Sequence, residues 1–441
     1  MALHIDTKMN RPNRNFTEEL RDRLSIVDVV ERHVPVVRKG KSYWCCCPFH
    51  TEKTASMKLD EERQCYHCFG CGDHGDIISF TMKYNNVEFW EALVILADLA
   101  GIDLPSETKK TEKQKEKERK YSELLRIAEE EYHRRLFSRA GDDAMTYLLA
   151  RGFSVEQIKK YKIGFAPDCN LLSEKFISES TQNLVMTGLV RTSENGSRYD
   201  FFRNRIMFPI KNQRGETIAF SGRSLDGVGP KYVNSSDTEF FHKRQTLFGI
   251  DVAKSGIYRA NRSIIVEGQI DAIKMQLAGY TETVAPLGSS LTVEHIETLC
   301  KVNRNIVLCF DGDVAGHKAA ARAARLCLPF MRYSSDVRIV ILPSCEDPDS
   351  ILSADGGATV MTKLIKQAKP IVDFLWEDLV RSYNTREIMG RVNLKKAIRE
   401  LVSQIQDKEL KDDISAELNA KMLRRFYSKR EVRAMAKQSL Q

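Results

Sequence analysis

The spacing of apolar positions changes several times along this chain, and the changes divide it. In residues 89–100, Phe89, Leu93, Leu96, Ala97 and Ala100 recur at helical spacing, with Gly101 and Pro105 as the stop. This predicts a helix that closes a first domain, 1–105. The stretch KKTEKQKEKERK (109–120) then has no apolar position; seven positive and three negative charges give it +4, half of the chain's +8. Too polar to bury, it reads as a solvated linker or exposed helix, and 106–120 is assigned as the boundary segment. From 121 to 260 helical patterns mix with short strands, and RIMFPI and ETIAFSGR around the turn signal KNQRG predict a hairpin. From 261 to 357 the apolar runs in RSIIVEG, TETVAPLGSS, NIVLCFDGD and DVRIVILP alternate with helices, which predicts a mostly parallel, doubly wound sheet. Residues 358–441 carry helical patterns only. The fold class expected is therefore multidomain, α+β and α/β, ending in a helical segment.

Composition narrows the function classes. The 441 residues are 42% hydrophobic and 29% charged, enough for several cores without disulfides. No run of about 18 apolar residues occurs, and the polar start MALHIDTKMNRPNRN lacks a signal-peptide core, so membrane spanning and secretion are not expected. Six of the eleven cysteines crowd into positions 45–71, which points to a metal rather than a disulfide framework. Cys169, Cys300, Cys309, Cys327 and Cys345 are scattered and read as small core or surface residues.

The crowded segment reads CCCPFH (45–50) and QCYHCFGCGDHG (64–75). Zinc favours four tetrahedral Cys/His ligands supplied as two close pairs, and Cys47-x-x-His50 with Cys68-x-x-Cys71 provides them. Cys45, Cys46, Cys65, His67 and His74 compete for the same role, and Cys65-x-x-Cys68 is a legal pair. Lys39, Lys41, Tyr43, Trp44, Phe49, Lys53, Lys58, Arg63, Tyr66 and Phe69 interleave rings with cations around this module. That pattern suits single-stranded nucleic acid, although the rings also serve as a core.

Carboxylates mark the strand ends of the doubly wound segment. Glu267 with Asp271, Asp311 with Asp313, and Asp347 with Asp349 follow three apolar strands, where the working site of an open α/β sheet lies. Any one of them reads equally as a helix cap. Six together repel unless cations are present, and hard Mg²⁺ or Mn²⁺ fits, as in two-metal phosphoryl chemistry. Arg203, Arg205, Arg223, Lys231, Lys243 and Arg244 crowd the middle segment as phosphate partners, mixed with Phe201, Phe202, Tyr232 and Asn234. Gly40-Lys41-Ser42 lacks the upstream glycine of a P-loop, so no ATP-driven motor is encoded there.

These motifs resemble the bacterial replicative DNA primases, over roughly residues 16–440. CPFHTEKT and YHCFGCGDHGD are similar to the family's zinc-binding domain. RNRIMFPI, FSGR and PKYVNS with FHK are similar to its basic polymerase subdomain, and VEGQIDAI, DGDVAGHKAA and EDPDS to its TOPRIM subdomain. The resemblance implies one structural Zn²⁺ on Cys47, His50, Cys68 and Cys71. It implies catalytic Mg²⁺ or Mn²⁺ on Glu267, Asp311 and Asp313, with Asp271, Asp347 and Asp349 supporting. Arg151, Arg203, Arg223, Lys231, Asn234 and Lys243 become the nucleotide- and template-binding ridge.

The partners implied are a single-stranded DNA template, NTPs and an RNA primer product. A cytoplasmic, nucleoid-associated monomer is expected. Relatives commonly continue into a domain that binds the replicative helicase, for which these 441 residues show no counterpart. This sequence departs from the family at Gln269, where an aromatic often follows the glycine, at Ala55 and Met57, and at Cys65, usually an aromatic. The rival readings are a zinc/TOPRIM nuclease or topoisomerase and a non-catalytic DNA-binding recombination mediator. After residue 350 only Tyr383 and Tyr427 remain as nucleophiles for the topoisomerase.

Overall fold

The computed structural model describes residues 14–40, 42–52, 54–85, 87, 89–102, 112–288, 290–333 and 335–427. It falls into two compact units, residues 1–115 and 116–441. Lys41 and Lys53 lie outside the described residues, as do residues 103–105 and residues 106–111 of the expected linker.

In the first unit five short strands form an antiparallel meander, β1 (Val36–Lys39), β2 (Ser42–Cys45), β3 (Met57–Asp60), β4 (Cys65–Cys68) and β5 (His74–Gly75), in that spatial order. Strand alternation sorts its side chains. Leu59 and Tyr66 pair across β3 and β4 and turn inward, packing with Ile77, Phe80, Leu93 and Leu96 from the helices Ile77–Asn85 and Phe89–Ala100. Trp44, Lys58, His67 and His74 stand opposite one another in a continuous row on the other face. The predicted helix is present, but Phe89, its first residue, is exposed while Leu93, Leu96 and Ala97 are buried.

The second unit takes in all but the first four residues of the 25-residue helix Glu112–Leu136, so the described part of the charged run is the front of a helix. Its later part buries Tyr121, Leu124, Leu125, Ala128, Tyr132 and Leu136, a stripe at three- and four-residue spacing. Strands β6 (Gly164–Ala166), β7 (Val190–Thr192), β8 (Arg198–Asp200), β9 (Arg205–Lys211), β10 (Thr217–Ser224) and β11 (Tyr232–Asn234) follow. The predicted hairpin is β9–β10, antiparallel, inside a four-strand sheet ordered β11-β10-β9-β6; β7 and β8 pair separately.

The predicted parallel sheet is built from β13 (Ser263–Ile265), β14 (Thr283–Pro286), β15 (Ile306–Phe310) and β16 (Val337–Ile341). Two strands extend it beyond the limits expected from sequence: β12 (Leu247–Phe248) and β17 (Lys369–Pro370), both antiparallel, complete the order β12-β14-β13-β15-β16-β17. β17 corrects the reading of 358–441 as purely helical. Two-residue edge strands have no period of their own; their neighbours' free hydrogen-bonding groups define them. The long helices Ile371–Ser382, Ile388–Ser403 and Lys408–Phe426 pack into the same core as β13 and β15. No helix among the described residues is long and apolar enough to cross a membrane.

Candidate metal centres and nucleic-acid interface

In the first unit Cys47 and His50 leave β2, while Cys68 ends β4 and Cys71 sits in the turn beyond it. One ligand atom from each lies within 4.8 Å of all the others, with Cys47 Sγ 3.8 Å from Cys71 Sγ and Cys68 Sγ 3.9 Å from His50 Nδ1. Tetrahedral Zn–S bonds of about 2.3 Å require sulfur separations of this size. Burial pushes the Cys68 thiol up, but Ser56 Oγ and the Gly70 and Cys71 amides bring it down to about 7.

Glu52, which sequence reasoning missed, braces the site. Its carboxylate accepts the Cys47 amide at 2.5 Å and lies 3.1 Å from His50 Nε2, leaving Nδ1 to face the sulfurs. A Cβ on Gly70 would come within 2.7 Å of His50 Nε2, so glycine is required there. The competing residues point elsewhere. Cys45 is buried on β2, Cys46 is exposed, and Cys65 lies opposite Asp60 on β4. His67 and His74 face each other on the exposed row. Trp44 and Phe69 stack at 5.9 Å beside Lys39, and Phe69 is 66% exposed.

The carboxylates meet at the parallel sheet's carboxyl edge. The loops after β13 and β15, carrying Glu267 and Asp311/Asp313, flank the point where strand order reverses. The Asp311 amide donates to Glu267 Oε1 at 3.1 Å, and the Gly312 amide to the Glu346 carbonyl at 3.1 Å, which ties the three loops together. A Cβ on Gly316 would sit 2.9 Å from Glu267 Oε1 and 2.4 Å from the Asp311 carbonyl, so only glycine admits this approach. Burial, then Glu267 and Asp271, push Asp311 up to about 7. Burial, then Asp347 and Asp349, do the same to Asp271. Glu267 is also raised, chiefly by burial. Asp311 Oδ1 is buried without a hydrogen-bond partner among the described residues. An orphaned oxygen among mutually repelling acids fits a hard divalent cation.

The six acids are not equivalent. Asp313 caps the helix Val314–Cys327 by accepting the Gly316 amide at 2.6 Å, and Asp347 caps the helix Pro348–Ser353. Asp349 is buried and already neutralised: Arg151 Nη1 lies at 2.5 Å and Lys274 Nζ at 3.6 Å. Lys274, on the buried side of the helix Gln269–Leu277, also donates to the Arg151 carbonyl and lies 4.4 Å from the Phe153 ring centre. No sequence signal marked this lysine.

Among the basic residues, Arg223 lies between Tyr147 and Tyr232 at 5.1 and 5.2 Å and donates to the Tyr232 hydroxyl. Arg151 donates to the Tyr147 hydroxyl. Asn234 on β11 pairs in register with Ser221, and the buried Gln269 amide joins both. Lys231 is exposed, Lys243 is half-buried, and Arg203 donates to Asn170. Arg205 stands apart: it is spent on the Gly222 and Pro230 carbonyls as an internal brace. Arg244 lies 3.8 Å from Glu294.

Family models match the chain in three places: a CHC2 zinc finger over 12–112, the DNA primase catalytic core N-terminal domain over 131–254 and a Toprim domain over 261–340. DNA primase of Escherichia coli K12 is 36% identical over 414 residues, 93% of this chain and 71% of the relative. That of Neisseria meningitidis serogroup B is 37% identical over 399 residues, 89% of this chain and 67% of the relative. The DnaG primase catalytic domain bound to ssDNA superposes with a TM-score of 0.64 at 33% identity, covering 70% of this chain and 97% of that one. The Aquifex aeolicus primase, zinc-binding and RNA polymerase domains together, covers 92% of this chain and 98% of its own at TM-score 0.59 and 29% identity. Matched in three successive segments by these family models and 36% identical to a DNA primase over 93% of its length, the chain belongs to the bacterial DNA primase family.

Proposed function

We propose that this chain is a DNA-templated RNA polymerase that makes short RNA primers on single-stranded DNA. The observation that carries the reading is the meeting of Glu267, Asp311 and Asp313 at the switch point of the parallel sheet. In this reading those three acids hold Mg²⁺ or Mn²⁺, with Asp271 and Asp347 behind them. Two such ions, when bound, favour attack by a 3′-hydroxyl on an α-phosphate and stabilise the departing pyrophosphate. Asp349 contributes indirectly, fixing Arg151 beside the site.

Arg223, placed near two tyrosine rings, offers the donors not spent on the Tyr232 hydroxyl to phosphate oxygens. Arg151, Arg203, Lys231 and Lys243 add charge along the path of NTPs and template, and Asn234 adds a carboxamide. Cys47, His50, Cys68 and Cys71 hold one Zn²⁺; four protein ligands leave it no open position, so it folds the ribbon and does no chemistry. The stacked Trp44 and Phe69, with Lys39 beside them, support a template-binding role for the ribbon's exposed face. Likeness to primases over 93% of the chain favours this reading over the nuclease and mediator alternatives.

The test is incorporation of labelled ribonucleotides on an unprimed single-stranded template with Mg²⁺ or Mn²⁺. Short RNA from the parent but not from Asp311→Ala is the expected result. Template cleavage, or binding without product, would replace polymerase by nuclease or mediator.

A further inference from the structure

The C-terminal helices Ile388–Ser403 and Lys408–Phe426 are joined by residues 404–407 and run antiparallel, sealed by Leu394, Leu401, Ile414 and Leu418. Along one side of their seam runs an open cavity of about 410 Å³. Lys395, Arg399 and Ser403 line it from one helix and Lys411, Ser415 and Asn419 from the other. Both triplets are spaced i, i+4, i+8, so two stripes face each other across a floor made by Ile398 and Val402.

The charge pattern of the cleft differs from that of the surface around it. On the same helices Lys396 is 3.8 Å from Glu400, and Lys421 is 2.7 Å from Asp373. Lys395, Arg399 and Lys411 have no ion-pair partner among the described residues, and no carboxylate lines the cleft. Three like charges gathered in a concavity repel one another, so the arrangement favours a bound anion. Ser415 Oγ accepts from Asn419 Nδ2 at 3.5 Å, which leaves its own proton free to donate.

The geometry points to a binding site for the sugar–phosphate backbone of single-stranded nucleic acid in the cleft between these two helices. A four-residue step along a helix is about 6 Å, comparable to the step between successive phosphates of an extended strand. Lys395 and Arg399 therefore meet neighbouring phosphates, while Lys411 reaches across from the other wall. The apolar floor suits the sugar faces. The inference rests on the primase reading for the identity of the strand, and it gives the helical tail a role in holding template or product.

The experiment measures anisotropy of a labelled thymidine oligonucleotide over a series of salt concentrations, using the full chain. The variant Lys395→Gln/Arg399→Gln/Lys411→Gln is compared with Lys363→Gln/Lys366→Gln/Lys396→Gln, which removes the same charge from exposed residues that do not line the cleft. Losing three phosphate contacts lowers the magnitude of the log–log salt slope by about 2. That change, confined to the cleft variant with its thermal melt unaltered, is the expected result. Equal slopes in both variants overturn the site. Loss of binding to polyglutamate with oligonucleotide binding retained would assign the cleft to an acidic protein instead and also overturn it. A parent chain that binds no oligonucleotide at all refutes the primase reading itself.

Discussion

In the ribbon, four ligand atoms lie within 4.8 Å of one another; Ser56 and two backbone amides hydrogen-bond the Cys68 sulfur, and the Glu52 carboxylate accepts the Cys47 amide and lies beside His50. At the sheet edge the carboxylates are not drawn together in this way, and Asp311 Oδ1 has no partner among the described residues. The difference follows from charge and from task. Thiols and an imidazole can be neutral before metal arrives, so a fold can pack them closely and close the site. Ionised acids cannot be packed closely without a cation, and a site that must admit phosphates has to keep metal positions open. In the proposed reading, closeness goes with the structural zinc and unrelieved repulsion with the working metal.

Asp311→Ala tests the comparison most severely. Primer synthesis should fall by about a thousandfold or more, while zinc content and the thermal melt stay unchanged. Cys68→Ser should do the reverse to its own unit. Stoichiometric zinc is lost, and because a structural zinc supplies about 10 kcal/mol or more of folding free energy, limited proteolysis should digest residues 14–102 and spare 116–427. Zinc retained at one per chain in this variant would hand the fourth position to Cys65.

Glu52→Gln keeps all four ligands but weakens the acceptor of the His50 ring proton; zinc affinity measured by chelator competition should drop about 10–100-fold. An unchanged affinity would mean that the carboxylate only caps the loop. Lys274→Met leaves Asp349 paired with Arg151 alone. It should cost roughly 1–3 kcal/mol of stability by denaturant titration and raise the KM for NTPs more than it lowers kcat, since Arg151 would be less firmly held. The smallest effect belongs to Cys65→Phe, which should leave zinc content and activity at the parent level. Any loss of zinc would show that Cys65 takes part in the cluster.

The sequence was legible where chemistry or periodicity is local. The pair spacing of Cys47/His50 and Cys68/Cys71, the strand-ending acids Glu267, Asp311 and Asp313, and the hairpin around KNQRG could all be read directly. It was silent where a residue works through a distant partner. Glu52 stands within CPFHTEKT and Gln269 within VEGQIDAI, with Lys274 directly after it, but nothing in the sequence tells what each touches, because each role is defined by what folds against it. The charged run was ambiguous in sequence; from Glu112 it is a helix because the buried stripe from Tyr121 to Leu136 anchors it.

The residues alone therefore determined the order of the segments, the pool of Cys, His and acidic side chains from which metal ligands can come, and the alternation that predicts a parallel sheet, since these follow from short-range sterics and donor chemistry. The tertiary structure decided which acids are free and which are spent. Asp349 and Arg205 belong to the same motifs as the residues around them, yet the first is neutralised by Arg151 and Lys274 and the second is bound to the Gly222 and Pro230 carbonyls. It also decided that β12 and β17 join the sheet and that three cations with no ion-pair partner among the described residues share one cleft. Pairing, burial and edge completion depend on groups far apart in the chain, and only the packed fold brings those groups within reach.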